Sequence, residues 1–317
     1  MKKRIISLIL AMCLMTGILA GCGTDKKEAD LPEKLVFTYV TAPLNVPSIV
    51  EKEKGIFAKT FEEMGIEVEY AEITSGADQT QALASGDVQV LYAVGASSVI
   101  LSAANDADIK VLNMYSRSPK AFCMYAKDTS LTSPESLKGK KIAGPAGTNL
   151  HELLVAYLAT ADMNIDDVEY INMTIPDSKA ALENGSIDVA LLAGATAYVG
   201  EQQGLHLVAD GEGLIDADIA VAVTDEFYQK YPDIIEKLGQ AQDEIAAFIN
   251  ENQAEAYEIV AKALDLEVSA VEDMVQYYDF STVTTEKDKE GFKKTADFMF
   301  ETGMIENALD VNTLFYE

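Results

Sequence analysis

Residues 82–97 read Ala-Leu-Ala-Ser-Gly-Asp-Val-Gln-Val-Leu-Tyr-Ala-Val-Gly-Ala-Ser, and residues 181–196 read Ala-Leu-Glu-Asn-Gly-Ser-Ile-Asp-Val-Ala-Leu-Leu-Ala-Gly-Ala-Thr. Gly86 falls on Gly185 and Gly95 on Gly194, at a constant offset of 99. Solenoid repeats recur every 20–50 residues or so, so two copies this far apart point to two lobes of related architecture. Each copy has the same mechanical reading. The Ala-Leu pair ends an amphipathic helix, and the first glycine supplies its left-handed cap. A nearly all-apolar run follows (Val88 to Val94; Ile187 to Leu192), as in a strand covered on both faces. The second glycine turns the chain into a new helix, with Ser97 or Thr196 close to its start.

Outward from the repeat, strand and helix patterns alternate. Lys34–Val40, Glu67–Ile73, Val88–Leu91 and Ile109–Tyr115 read as strands of the first lobe, and Ala121–Ala126 as a crossing into the second. Lys141–Ala143, Val168–Asn172, Ile187–Leu192 and His206–Val208 read as strands there, and Ile219–Val223 crosses back. The helix beginning near Asn149 carries an apolar stripe of Leu150, Leu153, Leu154, Tyr157, Leu158 and Ala161, and Asn149 with Glu152 has the form of a capping box. From Asp225 onward the chain reads as mostly helical. Ile234, Leu238, Ala241, Ile245 and Phe248 form one stripe, with Pro232 in the first turn. The expected fold is α/β and two-lobed, each lobe a mostly parallel sheet flanked by helices, with a ligand cleft between the lobes.

The first residues read as targeting sequence. Lys2-Lys3-Arg4 precede an apolar run from Ile5 to Ala20 that is too short to span a bilayer comfortably. The run ends in Leu19-Ala20-Gly21-Cys22, which resembles the lipobox of bacterial lipoproteins, whose cysteine is diacylated. Two acyl chains make a stable anchor where one does not. The expected division is therefore a leader over 1–21 and a lipidated tether over 22–33, about 30 Å long when extended. Lobe 1 would follow over 34–122 plus 219–317, and lobe 2 over 123–218. The formal net charge of −28 becomes more negative without the three basic leader residues, which makes nucleic acid and anionic membrane surfaces poor partners. Of the three cysteines, Cys13 leaves with the leader and Cys22 is lipidated. Cys123 is left alone in an apolar strand, where it reads as a small buried hydrophobe.

The chain as a whole resembles the type II periplasmic binding proteins of ABC importers, in the SsuA/THI5-like branch for nitrate, taurine, aliphatic sulfonates and thiamine-pyrimidine precursors. The resemblance covers nearly all of 34–317. It rests on Glu53-Lys54-Gly55-Ile56-Phe57, Ala82-Leu83-Ala84-Ser85-Gly86-Asp87-Val88 and Leu137-Lys138-Gly139-Lys140-Lys141-Ile142-Ala143. Gly147-Thr148-Asn149-Leu150-His151 and Ala181-Leu182-Glu183-Asn184-Gly185-Ser186-Ile187-Asp188 complete it. It implies a monomeric solute-binding lipoprotein, held on the extracytoplasmic face of the cell membrane by its lipid alone. Such a protein captures a small solute and delivers it to a permease with its ATPase. No cofactor is implied.

Ligands in open α/β sheets bind beyond the carboxyl ends of strands, at helix N-termini. The candidate segments are Thr41 to Val46 (Thr41, Leu44, Asn45), Ser75 to Asp78 (Ser75, Gly76) and Gly95 to Ser98 (Ala96, Ser97). Gly147 to Leu150 (Gly147, Thr148, Asn149) and Gly194 to Thr196 (Thr196) face them. Arg117, the one arginine outside the leader, either clamps a carboxylate or sulfonate bidentately or pairs with a surface acid. No tryptophan is present; Tyr39, Tyr92, Tyr115 and Tyr198 are either stacking platforms or core. The sequence shows no metal spacing, nucleophile elbow or phosphate loop, and its two histidines, His151 and His206, stand apart. An enzyme acting on pyrimidine precursors is thus the weaker alternative. A ligand-sensing lipoprotein without transport would use the same cleft.

Overall fold

The computed structural model describes residues 31–316. The leader, Cys22 and the tether as far as residue 30 lie outside them. In chain order the elements are β1 (Lys34–Thr38), α1 (Val46–Lys54), α2 (Ile56–Glu62), β2 (Glu67–Ala71), α3 (Gly76–Ser85), β3 (Leu91–Gly95), α4 (Ala96–Ala104) and β4 (Lys110–Arg117). There follow β5 (Phe122–Ala126), β6 (Lys141–Gly144), α5 (Asn149–Ala159), β7 (Glu169–Asn172), α6 (Ile175–Asn184), β8 (Val189–Ala193), α7 (Gly194–Gln202) and β9 (His206–Asp210). The chain closes with β10 (Asp218–Val223), α8 (Asp225–Lys230), α9 (Pro232–Glu251), α10 (Gln253–Leu264), α11 (Val268–Val275) and α12 (Glu286–Glu301). No helix among the described residues is long and apolar enough to cross a membrane.

The repeat seen in the sequence is a repeat of topology. One sheet runs β7-β6-β8-β5-β9. The pair β1-β2 and the triplet β3-β10-β4 are joined by a bridge between Phe37 and Val90, which gives the order β2-β1-β3-β10-β4. Position for position the two orders match, with one antiparallel strand fourth from the edge in each: β5 against β8 and β9, β10 against β3 and β4. Gly86 (φ 81°) and Gly185 (φ 79°) cap α3 and α6 in the left-handed region, where a side chain would be strained. The N-cap is repeated too. Ser75 Oγ accepts from Asp78 N, and Thr174 Oγ1, 99 residues on, accepts from Asp177 N.

Apolar patterning explains the layers. Leu91 and Val94 of the first sheet pack with Val99 and Ile100 of α4 and Phe292 and Ala296 of α12 in one cluster. Cys123, Tyr125, Ala190 and Leu192 of the second sheet pack with Leu182 of α6 and Ala197 of α7 in another. In α9 the buried stripe is Ile234, Leu238, Ala241 and Ile245, as the spacing requires. Both copies of the repeat become strands later than the sequence suggests, at Leu91 and at Val189, and Val36 N donates to the Gln89 side chain on the approach to β3. The capping box at Asn149 does not form. Thr148 is the N-cap of α5, and Glu152 turns inward to partners from elsewhere in the chain.

Candidate ligand cleft

The carboxyl ends of β1, β3 and β6 and the starts of four helices converge on a cavity of about 80 Å³. From the first sheet's side it is lined by Ala42, Pro43, Thr74, Gly76, Gln79, Gly95 and Ser98. Phe122, Pro145, Thr148, Asn149, Leu150 and Ile175 face them. Gly76 begins α3, Gly95 caps α4, Thr148 caps α5 and Ile175 begins α6. The first-turn N–H groups of a helix lack intrahelical acceptors and carry the positive end of its dipole. Four such ends around one small space favour a compact anion. No charged side chain lines the cavity, so the attraction would come from peptide dipoles and neutral hydrogen-bond donors alone.

Close approach of backbones makes the cavity narrow. A Cβ on Gly194 (φ 51°) would lie 1.7 Å from the Pro43 carbonyl oxygen, which accepts instead from Ala195 N at 3.1 Å. A Cβ on Gly76 would meet Ser98 Oγ at 2.0 Å. Only glycine lets these segments touch. Further hydrogen bonds tie the α5 end to its neighbours: Ser98 Oγ of α4 donates to Gly147 O at 2.8 Å, and Asn149 Nδ2 to Asp218 O at the start of β10 at 3.3 Å. Ser97 Oγ sits 2.8 Å from Asn149 Oδ1 and 2.5 Å from Glu152 Oε2, and Thr295 Oγ1 donates to Glu152 Oε1 at 2.9 Å. Burial pushes Glu152 above the ordinary carboxylate range. Beside the cavity the buried Gln79 Oε1 has no hydrogen-bond partner, because its amide nitrogen is turned to Ile73 O.

Of the residues singled out from sequence, Gly76, Thr148 and Asn149 line the cavity. Ser97 and Gly147 join the contacts across it, while Ser75 caps α3. Thr41 O accepts from Asn45 N, and the buried Asn45 side chain donates to Val40 O and Ala42 O, so these two shape the loop. Thr196 stands half-buried on α7, outside the lining. Three others lie away from the cavity lining, and for Arg117 the acid pair is the reading found. Leu44 is fully buried against Val46, Ile49, Val260 and Val271, because the loop turns its side chain into the core. Ala96 likewise faces the core under α4. Arg117 is no ligand clamp: its guanidinium grips Asp288 at 2.6 and 2.8 Å and the carbonyls of Ser281 and Val283 at 2.8 and 2.9 Å.

Tyr92 and Tyr115 are core, Tyr115 holding Ser48 through its hydroxyl. Tyr39 lies under the Lys52 ammonium, 3.7 Å from the ring centroid. His151 stacks on Tyr170 at 4.7 Å, and burial lowers its pKa. The residues that sequence reasoning missed include Thr74, Gln79, Phe122, Pro145 and Ile175. The offset of 99 carries Gly76 onto Ile175, so the repeat held the signal for the last of them. Among the described residues no three His, Cys, Asp or Glu side chains gather as a metal site would require.

A family model described as "NMT1/THI5 like" matches residues 43–256. The chain belongs to the NMT1/THI5-like family. This NMT1/THI5-like chain is 27% identical over 316 residues to a Bacillus subtilis (strain 168) protein named "Putative aliphatic sulfonates-binding protein", covering 98% of this chain and 93% of that one. Its structure is similar to that of the alkanesulfonate-binding protein SsuA from Xanthomonas axonopodis pv. citri bound to MOPS (TM-score 0.81, 18% identity, 90% of this chain and 98% of that one). A Candida albicans protein described as exhibiting the generic periplasmic binding protein structural fold superposes with a TM-score of 0.72 at 16% identity, over 90% and 96% of the two chains. The NMT1/THI5-like chain therefore has the periplasmic binding protein fold.

Proposed function

We propose that this protein captures a small anionic solute of the sulfonate class in the cleft and delivers it to the permease of an ABC importer. The observation that carries this reading is the convergence of four helix N-termini on one cavity without a charged side chain. A sulfonate spreads one negative charge over three acceptor oxygens, which suits several weak donors better than a single fixed cation. The space is small beside the roughly 300–1,000 Å³ of drug-sized ligand pockets, so the head group would be held and a short alkyl tail would lie against Val40, Phe122 and Ile219. The name of the Bacillus relative supports the ligand class. Capture would proceed by closure of residues 123–218 against 34–122 and 219–317, about the two crossing strands β5 and β10. Lipid at Cys22 would hold the protein on the extracytoplasmic face.

Thermal denaturation against methanesulfonate, taurine, nitrate, short carboxylates and pyrimidines tests the ligand class. A ligand of the native state raises Tm with concentration, by mass action. Sulfonates should shift Tm and pyrimidines should not; folded protein unmoved by every sulfonate up to millimolar concentration refutes the reading. For the anchor, Cys22→Ala should release the protein from the membrane fraction of expressing cells.

A further inference from the structure

A second cavity, of about 250 Å³, opens away from the cleft between β5, α7 and β9 on one side and the end of α11 on the other. Four phenol rings line it: Tyr125, Tyr198, Tyr277 and Tyr278. No two of them stack on each other among the described residues; Tyr278 stacks instead on Phe280, at 5.4 Å. The rings therefore surround a space rather than fill it. Tyr278 Oη is buried without a hydrogen-bond partner, whereas buried polar groups are ordinarily paired.

The charge in this cavity has one sign. Lys120 is its only cation and is already paired with Glu212 at 3.1 Å. Glu201 and Asp210 also line it, and neither has an ion-pair partner among the described residues. Their field reaches the closed end. The Cys123 thiol is pushed up to about 12, chiefly by burial and then by Asp210 and Glu201. Burial raises Tyr125 as well, with Cys123 and Glu201 adding to it. Burial opposes charge of either sign, so it is the Asp210 and Glu201 contributions to these shifts that favour a cation here.

We propose that this cavity is a second binding site, for a small organic ammonium ion. Aromatic faces attract a weakly hydrated cation through the ring quadrupole, and the two free carboxylates supply the net charge that the rings lack. A hard inorganic ion fits less well, since calcium takes six to eight oxygen ligands and much of this wall is phenol ring and the Met274 thioether. The two cavities share no lining residue and the ligand classes have opposite charge, so the two readings stand or fall separately.

Calorimetric titration of the full chain with tetramethylammonium and choline chlorides, against sodium chloride at matched ionic strength, tests the proposal. The chain has 14 tyrosines and no tryptophan, so tyrosine emission gives an independent readout. Saturable binding is expected. It should weaken about tenfold in Glu201→Gln/Asp210→Asn and about fivefold in Tyr277→Leu, the latter at a surface-exposed ring where folding is not at risk. The neutral choline isostere 3,3-dimethylbutan-1-ol should bind at least tenfold more weakly than choline. Absence of saturable binding to either ammonium ion overturns the proposal, as does equal binding of the neutral isostere or unchanged affinity in all the variants.

Discussion

Replacing Glu152 with glutamine tests how protons are shared where α4, α5 and α12 meet. Ser97 has one hydroxyl proton and two acceptors in reach, Asn149 Oδ1 at 2.8 Å and Glu152 Oε2 at 2.5 Å. Were Glu152 ionised, one acceptor would go without a hydrogen. Protonated, its O–H donates to Ser97 Oγ, Ser97 donates to Asn149, and Thr295 donates to the second carboxyl oxygen, so every group is satisfied. Burial raises Glu152 above its ordinary 4.5; Asp216 adds to the rise, while the Ser97 and Thr295 hydrogen bonds and Lys294 oppose it. A raised native pKa means that the stabilisation is fully present below 4.5 and is lost as pH climbs through the native value. Glutamine copies the neutral acid, with Nε2 donating to Ser97 and Oε1 accepting from Thr295. At pH 8 Glu152→Gln should therefore melt no lower than the wild type, and its Tm should fall less steeply with pH. Glu152→Ala leaves Thr295 without its acceptor and Ser97 with Asn149 alone, at about 1–3 kcal/mol, and a loss near 3 kcal/mol lowers Tm by roughly 5 °C at an unfolding entropy of about 2.1 cal/mol/K per residue. Differential scanning calorimetry at pH 5 and pH 8 reads both variants. If the glutamine variant at pH 8 fell as far as the alanine one, the shared-proton reasoning would be wrong.

Asp218 should add to the same pH dependence. Burial, with the charges of Asp216 and Asp288, lifts it to about 7 against the pull of Arg117, and its buried Oδ2 has no partner. Its contribution is present below 3.8 and lost towards pH 7, so Asp218→Asn should flatten the urea stability profile between pH 5 and 8 by on the order of a few kcal/mol. Arg117→Ala leaves Asp288, 3% exposed, without its guanidinium and should cost about 3–5 kcal/mol in chemical denaturation. Sulfonate affinity should not follow it once folding is corrected for, since Arg117 lies outside the cleft lining. Gly194→Ala drives a methyl into the Pro43 carbonyl, and at least tenfold weaker binding is expected, with about 1–3 kcal/mol lost in stability. Unchanged affinity would show that the Pro43 contact does not shape the cleft.

The paired sheets were legible because they rest on local rules applied twice. A glycine C-cap, an apolar strand and a second glycine recur at one spacing, and the matching strand orders follow from them. Helix starts facing the cleft were legible for the same reason. Side-chain direction within the loops was not. Leu44 and Ala96 stand in the right segments, yet each points into a core, which only the turn geometry determines. Long-range partners were invisible as well. Arg117 meets Asp288 across 171 residues, a separation that no window along the chain samples. The Asn149–Glu152 pair satisfied a local capping rule, and tertiary hydrogen bonds from Ser97 and Thr295 overrode it.

Each sheet takes its antiparallel strand from the far side of a crossing, and this sets the order in which an emerging chain can complete its sheets. The sheet holding β5 has all its strands once Asp210 has been made, whereas β3 and β4 stay unbridged until Asp218–Val223 emerges. A chain ending between Asp210 and Asp218 thus carries two open strand edges beside an already complete neighbour. Open edges invite pairing with other chains, so the interval between these two strands is the one in which a holding chaperone would matter most. Deuterium exchange on released chains truncated after 217 and after 230 should show protection of β3 and β4 only in the longer one.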